Sequence, residues 1–208
     1  MVRAPSLSGV ILAAGESTRM GTDKALLPWP PSHRGHILST FLSASIDRLT
    51  SVSDFVIVVV GRNEPNLAPV VYANGASLVR NPSPERGQFS SLQIGLQEVL
   101  NRGRDAAFVT LVDRPPAAEG TLTTLHSVMT TAPYSQWAFV PEYQGKHGHP
   151  VLLDRSIIQA FLDAPPTSNA REVEHQNQQH IAYIAVDDPF VTLNVNTPED
   201  YAALVSAR

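Results

Sequence analysis

The sequence predicts an α/β protein with three layers, in which helices cover both faces of a mostly parallel, Rossmann-like sheet. Residues 10–14, 55–60 and 107–112 are continuous apolar runs, a pattern typical of strands buried on both faces of a parallel sheet. Segments with helical spacing lie between these runs, and such alternation is typical of a doubly wound α/β/α sandwich. We therefore expect a ligand beyond the carboxyl ends of the strands.

Two helices fit between the apolar runs. The first is indicated by five side chains that share one face at helical spacing, namely Leu38, Leu42, Ser45, Ile46 and Leu49. The second is indicated in the same way by Leu92, Leu96, Val99 and Leu100. The chain therefore begins in the order strand, helix, strand, loop, helix, strand.

The rest of the chain continues this alternation. A further helix is predicted around Leu122, Leu125, Val128 and Met129. Short strands are predicted at residues 137–140 and 151–153, and a late strand at residues 181–186. A final helix begins at Pro198, because Thr197 can cap it, proline suits the first helical position and Asp200 completes a capping box.

Composition limits the kinds of protein that this can be. A chain of 208 residues with 43% hydrophobic residues is expected to form one domain over residues 1–208, with residues 1–8 as a flexible N-terminus. The net charge of −4 leaves no basic excess for a nucleic-acid partner, and no apolar run is long enough for a membrane. The absence of cysteine rules out disulfides and thiolate chemistry, and the cytoplasm is the default location.

A Gly-rich loop follows the first predicted strand. Gly15 and Gly21 allow a tight turn that presents backbone N–H groups to an anion, and Arg19 and Lys24 can add charged contacts to phosphate oxygens. The loop is neither a Walker A loop nor a dinucleotide-binding Gly-x-Gly-x-x-Gly motif. From these residues alone, an ordinary strand-to-helix loop with two turn glycines remains the alternative.

The complete pattern Leu-Ala-Ala-Gly-x-Ser-x-Arg-Met-Gly-x-x-Lys runs from Leu12 to Lys24. It resembles the signature of the MobA-like nucleoside-triphosphate transferases, which are related to the molybdenum cofactor guanylyl- and cytidylyltransferases. The resemblance implies a fold of the nucleotide-diphospho-sugar transferase type. It also implies that Leu12 and Ala13 touch the base, while Arg19 and Lys24 hold phosphates and serve catalysis. The remaining loop residues implied in nucleotide binding are Ala14, Gly15, Glu16, Ser17, Met20 and Gly21.

Asp113 follows the third apolar run and precedes the sequence Arg-Pro-Pro, which leads the chain out of the sheet. A carboxylate at the carboxyl end of a central strand is well placed to bind Mg²⁺ beside a triphosphate, although an aspartate that only starts a turn also fits. The resemblance favours the metal, because the family carries a metal-binding aspartate two residues before a proline. Asp113 is therefore the first candidate for a catalytic metal ligand.

A second oxygen ligand for Mg²⁺ is expected from Asn194 or Asn196, just before the final helix. Both asparagines can instead serve only to turn or cap the chain. The segment resembles the family's Asn/Asp-x-Asn/Asp-Thr-Pro-Glu-Asp element, in which one polar residue reaches the metal.

Later segments resemble family elements that face the nucleoside or the acceptor. Ser90 and Ser91 match part of a Gly-x-Ser-Ser-Ser-Leu element at the nucleoside, although helix capping also explains serines here. His149 matches a Gly-His-Pro-Val element and Arg171 a Gly-Ala-Arg element of the cytidylyl-type branch, which implies that both face the acceptor. The alternatives are a zinc site at His147 and His149 and a solvated charge at Arg171.

The resemblance implies Mg²⁺-dependent transfer of a nucleoside monophosphate from an NTP, with CTP favoured over GTP, to a small phosphorylated acceptor. Molybdopterin is the leading acceptor, and pyrophosphate leaves. The reaction needs no protein nucleophile, because positioning and charge stabilisation suffice. The second hypothesis is a sugar-phosphate or methylerythritol-phosphate nucleotidyltransferase. The third is a non-catalytic nucleotide-binding accessory protein with a molybdenum enzyme as its client.

Overall fold

A mixed β-sheet runs through the centre of the molecule. The computed structural model describes residues 5–17, 20–30 and 39–206, and within them the sheet has eight strands. The strands are β1 (Leu7–Leu12), β2 (Phe55–Val60), β3 (Ser77–Arg80), β4 (Ala106–Leu111), β5 (Ala138–Tyr143), β6 (Lys146–His147), β7 (Val151–Asp154) and β8 (Ile181–Ala185).

The order of the strands places β1 and β4 in the middle of the sheet. The path is β3-β2-β1-β4-β7-β5-β6, and β8 pairs with β5. Strands β1 to β4 are mutually parallel, whereas β7 runs antiparallel to β4. Because β7 is reversed, its first residue, Val151, pairs with Val109 near the end of β4. The start of β7 therefore lies at the same edge of the sheet as the end of β4.

Helices pack on both faces of the sheet. The described residues form α1 (Phe41–Thr50), α2 (Glu64–Ala73), α3 (Gln88–Asn101), α4 (Glu119–Thr131), α5 (Arg155–Asp163), α6 (Ala170–Gln176) and α7 (Pro198–Ser206). The buried side chains of α1, α2 and α4 join one hydrophobic core, and those of α3, α5 and α6 join another. Within β1, Ile11 contributes to the first core while Val10 and Leu12 contribute to the second. The three-layer prediction is therefore confirmed.

Helix α7 packs on the end of the Gly-rich loop through a third, smaller core of Met20, Leu27, Phe41, Val195 and Leu204. The predicted capping box at its start is confirmed, because the Asp200 N–H donates to Thr197 Oγ1 and Asp200 Oδ2 accepts from the Thr197 N–H. Backbone hydrogen bonds from Asn196 and Thr197 also lower the pKa of the Asp200 carboxyl. This helix fixes the segment that precedes it.

The chain differs from the sequence prediction in several places. Helices α5 and α6 were not predicted, and two stretches in the first half of the chain also differ. The prediction of a loop after β2 is wrong, because this stretch contains α2 and β3. Pro65 and Pro69 hide the helical pattern of α2, and β3 is a short strand without a fully buried residue. The prediction of a flexible segment at residues 1–8 is wrong for its last two residues, because β1 already begins at the buried Leu7. Residues 1–4 and Leu38 lie outside the described residues.

None of the helices within the described ranges combines the length and the apolar character needed to cross a bilayer.

Candidate active site

The Gly-rich loop after β1 forms one wall of a cavity at the carboxyl edge of the sheet. This loop cavity has a volume of about 390 Å³. The Gly-rich loop lines it with Leu12, Ala14, Gly15, Glu16, Ser17 and Lys24. The opposite side comes from the start of α3 and the end of β4, with Pro84, Gly87, Gln88, Ser91, Leu111, Val112 and Asp113. The cavity thus lies where a ligand is expected in a sheet of this type.

The backbone around the loop cavity offers donors to an anion. The N–H groups of Gly15 and Glu16 make no hydrogen bond to any residue that the structure describes. The loop folds back on itself, because Gly21 adopts a left-handed φ of +66° and the Lys24 N–H donates to Ser17 Oγ at 3.1 Å. The N-terminus of α3 meets the same cavity and adds the positive end of a helix dipole. Together these features suit a phosphate.

Lys24 and Asp113 line the loop cavity, and Asn196 joins them from the C-terminal segment. Lys24 Nζ donates to Asn196 Oδ1 at 2.8 Å and lies 3.7 Å from Asp113 Oδ2. The Lys24 side chain is 11% exposed, so its ammonium is largely removed from water. Asp113 Oδ1 is buried and has no hydrogen-bond partner among the described residues. The structure therefore brings one cation and two kinds of oxygen ligand together.

The C-terminal segment is fixed against the end of β4. The N–H of the fully buried Val195 donates to the Asp113 carbonyl at 2.8 Å. This contact brings Asn196 to Lys24, whereas Asn194 is exposed. An amide and a single carboxylate fit Mg²⁺, which takes most of its ligands from water and phosphates. In the part of the chain that the structure describes, no cluster of three or more His, Asp or Glu side chains could hold a metal by itself.

Asn63, just beyond β2, joins the two ends of the Gly-rich loop. Its Nδ2 donates to the Ala13 carbonyl at 2.9 Å and to Asp23 Oδ2 at 2.8 Å. Its Oδ1 accepts from the Gly61 N–H at 3.1 Å. The other carboxylate oxygen of Asp23 caps the short 3₁₀ turn Lys24–Leu26. Asn63, which the sequence reasoning missed, thereby fixes the backbone that carries the loop lysine.

Ser90 and Ser91 lie in the first turn of α3 and share a buried partner. Asn81 Nδ2 donates to both hydroxyls at 2.9 Å, and Ser90 Oγ also donates to the Gly87 carbonyl. Capping does not explain these serines, because the N-cap residue is Gly87 and has no side-chain hydrogen bond. Of the two hydroxyl residues, Ser91 lines the loop cavity. Asn81 therefore sets the position of the helix start at the cavity.

A second cavity of about 440 Å³ adjoins the loop cavity above β4 and β7. This sheet cavity shares Leu12, Gly87, Gln88 and Leu111 with the loop cavity. Its other apolar lining consists of Phe89, Leu92, Val109, Val151, Leu153, Phe161 and Ala170. Its other polar lining consists of Arg86, His149, Ser168, Asn169, Arg171 and Glu174. Both residues that the sequence assigns to the acceptor, His149 and Arg171, thus lie in one cavity next to the loop cavity.

The His149 ring is neutral at neutral pH. Burial lowers its pKa from 6.5 to about 3, and the positive charge of Arg114 contributes further. The backbone N–H of His149 and the Arg114 Nη1 both donate to the Val191 carbonyl, at 2.8 and 3.0 Å. A Cβ on the neighbouring Gly148 would collide with this same carbonyl. The loop before β7 is therefore fixed in place and requires a glycine beside the histidine.

His147 has different surroundings from His149. Its ring stacks on Tyr183 with centroids 3.8 Å apart, and its Nε2 lies 3.4 Å from Glu142 Oε2. The two histidines line different cavities.

Several loop residues that the sequence assigns to the nucleotide do not line the loop cavity. Ala13 is 1% exposed and packs in the first core, and Met20 packs in the core beneath α7. Gly21 shapes the loop by its backbone conformation. Arg19 lies outside the described residues.

Comparison with known proteins identifies one family. The MobA-like NTP transferase domain matches residues 9–181. A probable molybdenum cofactor guanylyltransferase of Rhodopirellula baltica is 32% identical over 202 residues, which cover 94% of this chain and 90% of that protein. The molybdenum cofactor cytidylyltransferase of Escherichia coli is 25% identical over 194 residues, which cover 92% of each chain.

A solved structure of similar shape is that of Rv0371c from Mycobacterium tuberculosis H37Rv. It has a TM-score of 0.79 and 27% identity, and the match covers 97% of this chain and 98% of that chain. A structure of the same protein in complex with manganese has a TM-score of 0.75 at 24% identity and covers 98% and 100% of the two chains. The fold is that of the nucleotide-diphospho-sugar transferases, and the corresponding prediction is confirmed.

Proposed function

The chain belongs to the MobA-like NTP transferase family, and we propose that it uses Mg²⁺ to transfer the nucleoside monophosphate of CTP to molybdopterin. Nucleotidyl transfer itself follows from the family, whose members include guanylyl- and cytidylyltransferases. The observation that carries the proposal is the meeting of Lys24, Asp113 and Asn196 at the loop cavity. The adjoining sheet cavity supports the transfer to an acceptor, since it gives an acceptor room beside the nucleotide.

The loop cavity suits the triphosphate of the nucleotide. The N–H groups of Gly15 and Glu16, which bind no described residue, and the N-terminus of α3 would bind phosphate oxygens. Asp113 and Asn196 would hold Mg²⁺, in preference to the exposed Asn194. When bound, the ion partly neutralises the negative charge of the phosphates and so favours the displacement of pyrophosphate.

Transfer would occur at the wall that the two cavities share. An oxygen of the acceptor phosphate attacks the α-phosphorus, the bond from that phosphorus to the bridging oxygen breaks, and pyrophosphate leaves along the Gly-rich loop. Lys24 and, by the family resemblance, Arg19 neutralise the charge that develops on pyrophosphate. A phosphate monoester is largely ionised at pH 7. No base is needed, and the neutral His149 serves as a hydrogen-bonding group.

CTP is the proposed nucleotide because of residues on the acceptor side. His149 and Arg171 belong to elements that resemble the cytidylyl-type branch, and both line the sheet cavity.

Release of pyrophosphate tests the proposed function. The protein is incubated with Mg²⁺ and with CTP, GTP, ATP or UTP in turn, each with and without molybdopterin. We expect release that depends on molybdopterin and is fastest with CTP. Faster release with GTP would contradict the choice of CTP and leave the transfer intact. Saturable nucleotide binding without any release would contradict catalysis and favour an accessory protein.

Replacing Asn63 with alanine should weaken the use of CTP and leave the protein folded. The loop loses a hydrogen bond at each end, and each contributes about 0.5–1.5 kcal/mol, so we expect KM for CTP to rise about 10-fold. The melting temperature should fall by less than about 10 °C. Asn74→Ala is the matched control. Asn63 precedes α2 and Asn74 follows it, and the Asn74 side chain donates to the Val70 carbonyl at the surface. Equal effects of both substitutions on KM would contradict a positioning role for Asn63.

A further inference from the structure

Glu174 lies where the sheet cavity meets a smaller cavity of about 70 Å³. This distal cavity shares Val151, Leu153, Phe161 and Glu174 with the sheet cavity, and it shares no residue with the loop cavity. Its remaining lining is mostly apolar, and His147 and Tyr183 complete it. Glu174 is therefore an acidic group between mostly apolar walls, on the side of the acceptor space that lies away from the phosphate loop.

The Glu174 carboxylate forms no hydrogen bond and no ion pair within 4 Å with any residue that the structure describes. Glu174 is exposed at the mouth of the cavities, and the contact of its carboxyl with their walls raises its pKa, an effect that the charge of His147 offsets only in part. Because no described side chain occupies this carboxylate and it lines both cavities, its two oxygens are available to a ligand that supplies donors.

We infer that Glu174 recognises the pterin ring of the proposed acceptor, a flat heteroaromatic ring that carries two adjacent N–H donors at one edge. Two parallel hydrogen bonds from such an edge match the two oxygens of a carboxylate. Val151, Leu153 and Phe161 provide apolar surface for the faces of the ring. The inference rests on the proposed function, because an acceptor whose phosphate reaches the loop cavity extends its other end toward Glu174.

Arg171 lies one helical turn before Glu174 and serves a different part of the acceptor. Arg171 lines the sheet cavity but not the distal cavity. No ion pair within 4 Å joins the two side chains, which are both among the described residues. The guanidinium therefore remains available to the anionic part of the acceptor. Helix α6 thus presents opposite charges to two ends of one molecule.

Binding of pterin and of lumazine tests the inference. Pterin carries an amino group and a ring N–H side by side, whereas lumazine has a carbonyl in place of the amino group. We expect the wild-type protein to bind pterin at least about 10-fold more tightly than lumazine, as measured by the change in ligand fluorescence. Glu174→Gln should reverse this preference, because a glutamine amide offers one donor and one acceptor and so matches lumazine.

Glu172→Gln is the matched control, because Glu172 lies on the same helix and is exposed like Glu174, but lines neither cavity. It should keep the preference for pterin, and both variants should melt at the wild-type temperature. With molybdopterin as acceptor, Glu174→Gln should raise KM for molybdopterin about 10-fold and leave KM for CTP unchanged.

Equal affinity of the wild-type protein for pterin and lumazine would overturn the inference, and so would a pterin preference that survives in Glu174→Gln. Either result can occur with CTP-dependent pyrophosphate release intact, in which case the proposed function stands alone. A reversed preference without any release would overturn the proposed function instead, and the ring-recognising role of Glu174 would remain.

Discussion

Asp113→Asn should reduce pyrophosphate release by about 10³-fold or more at saturating CTP and molybdopterin. Asparagine keeps the size of the side chain but removes the negative charge that a divalent cation requires from its one carboxylate ligand. The fold should survive, because the side chain is 29% exposed and its one ion pair with a described residue, Lys24, is 3.7 Å long. We therefore expect a melting temperature within about 3 °C of the wild type.

Asp105→Asn is the matched control for this substitution. Asp105 precedes the opposite end of β4, where it accepts from Ser6 Oγ at 2.9 Å and lies 3.9 Å from Arg155. The control should retain wild-type turnover. If Asp113→Asn also retains turnover within 3-fold, roughly 0.7 kcal/mol of activation free energy, Asp113 is not the metal ligand that the proposed function needs.

Lys24→Met should lower kcat/KM for CTP by about 10²–10³-fold. Methionine has nearly the length of lysine and no charge, so the phosphates lose a largely buried cation. Both kcat and KM should change, because this cation would meet the triphosphate in the ground state and also the charge that develops on pyrophosphate. Steady-state kinetics over a range of CTP concentrations separate the two effects.

Lys146→Met gives the corresponding control, since Lys146 is exposed on β6 and lines none of the three cavities. Loss of activity in this control would point to a general effect of charge. Unchanged kinetics in Lys24→Met would remove Lys24 from the phosphate site.

Much of the fold could be predicted from the sequence because the central strands are buried on both faces. Continuous apolar runs revealed β1, β2 and β4, and the motif from Thr197 to Asp200 revealed α7. Helix α2 was not predicted, because Pro69 interrupts a weakly amphipathic stretch. The reversed direction of β7 could not be predicted, since three apolar residues and an aspartate contain no information about which way a strand runs.

The candidate site could be predicted only in part, because local patterns reveal some of its residues but not the contacts between distant ones. The Gly-rich loop and Asp113 stand out because each follows a buried strand. The hydrogen bond between Lys24 and Asn196 joins residues that are 172 positions apart, so no local pattern reveals it. Asn63 closely follows β2, and a polar residue soon after a buried strand was the signal that could have identified it. Asn81 gave no such signal, because the strand before it, β3, is not buried and was not predicted.

The contacts of the segment before α7 also determine when the site can form during synthesis. A ribosome makes Lys24 first, whereas its partner Asn196 follows 172 positions later and Val195, the partner of the Asp113 carbonyl, one residue before that. During this interval, the nascent chain contains the Gly-rich loop without the complete ligand set. Proteolytic removal of the stretch beyond Leu193 would have the same consequence for a finished molecule, since it would leave the sheet in place and take away one side of the metal site.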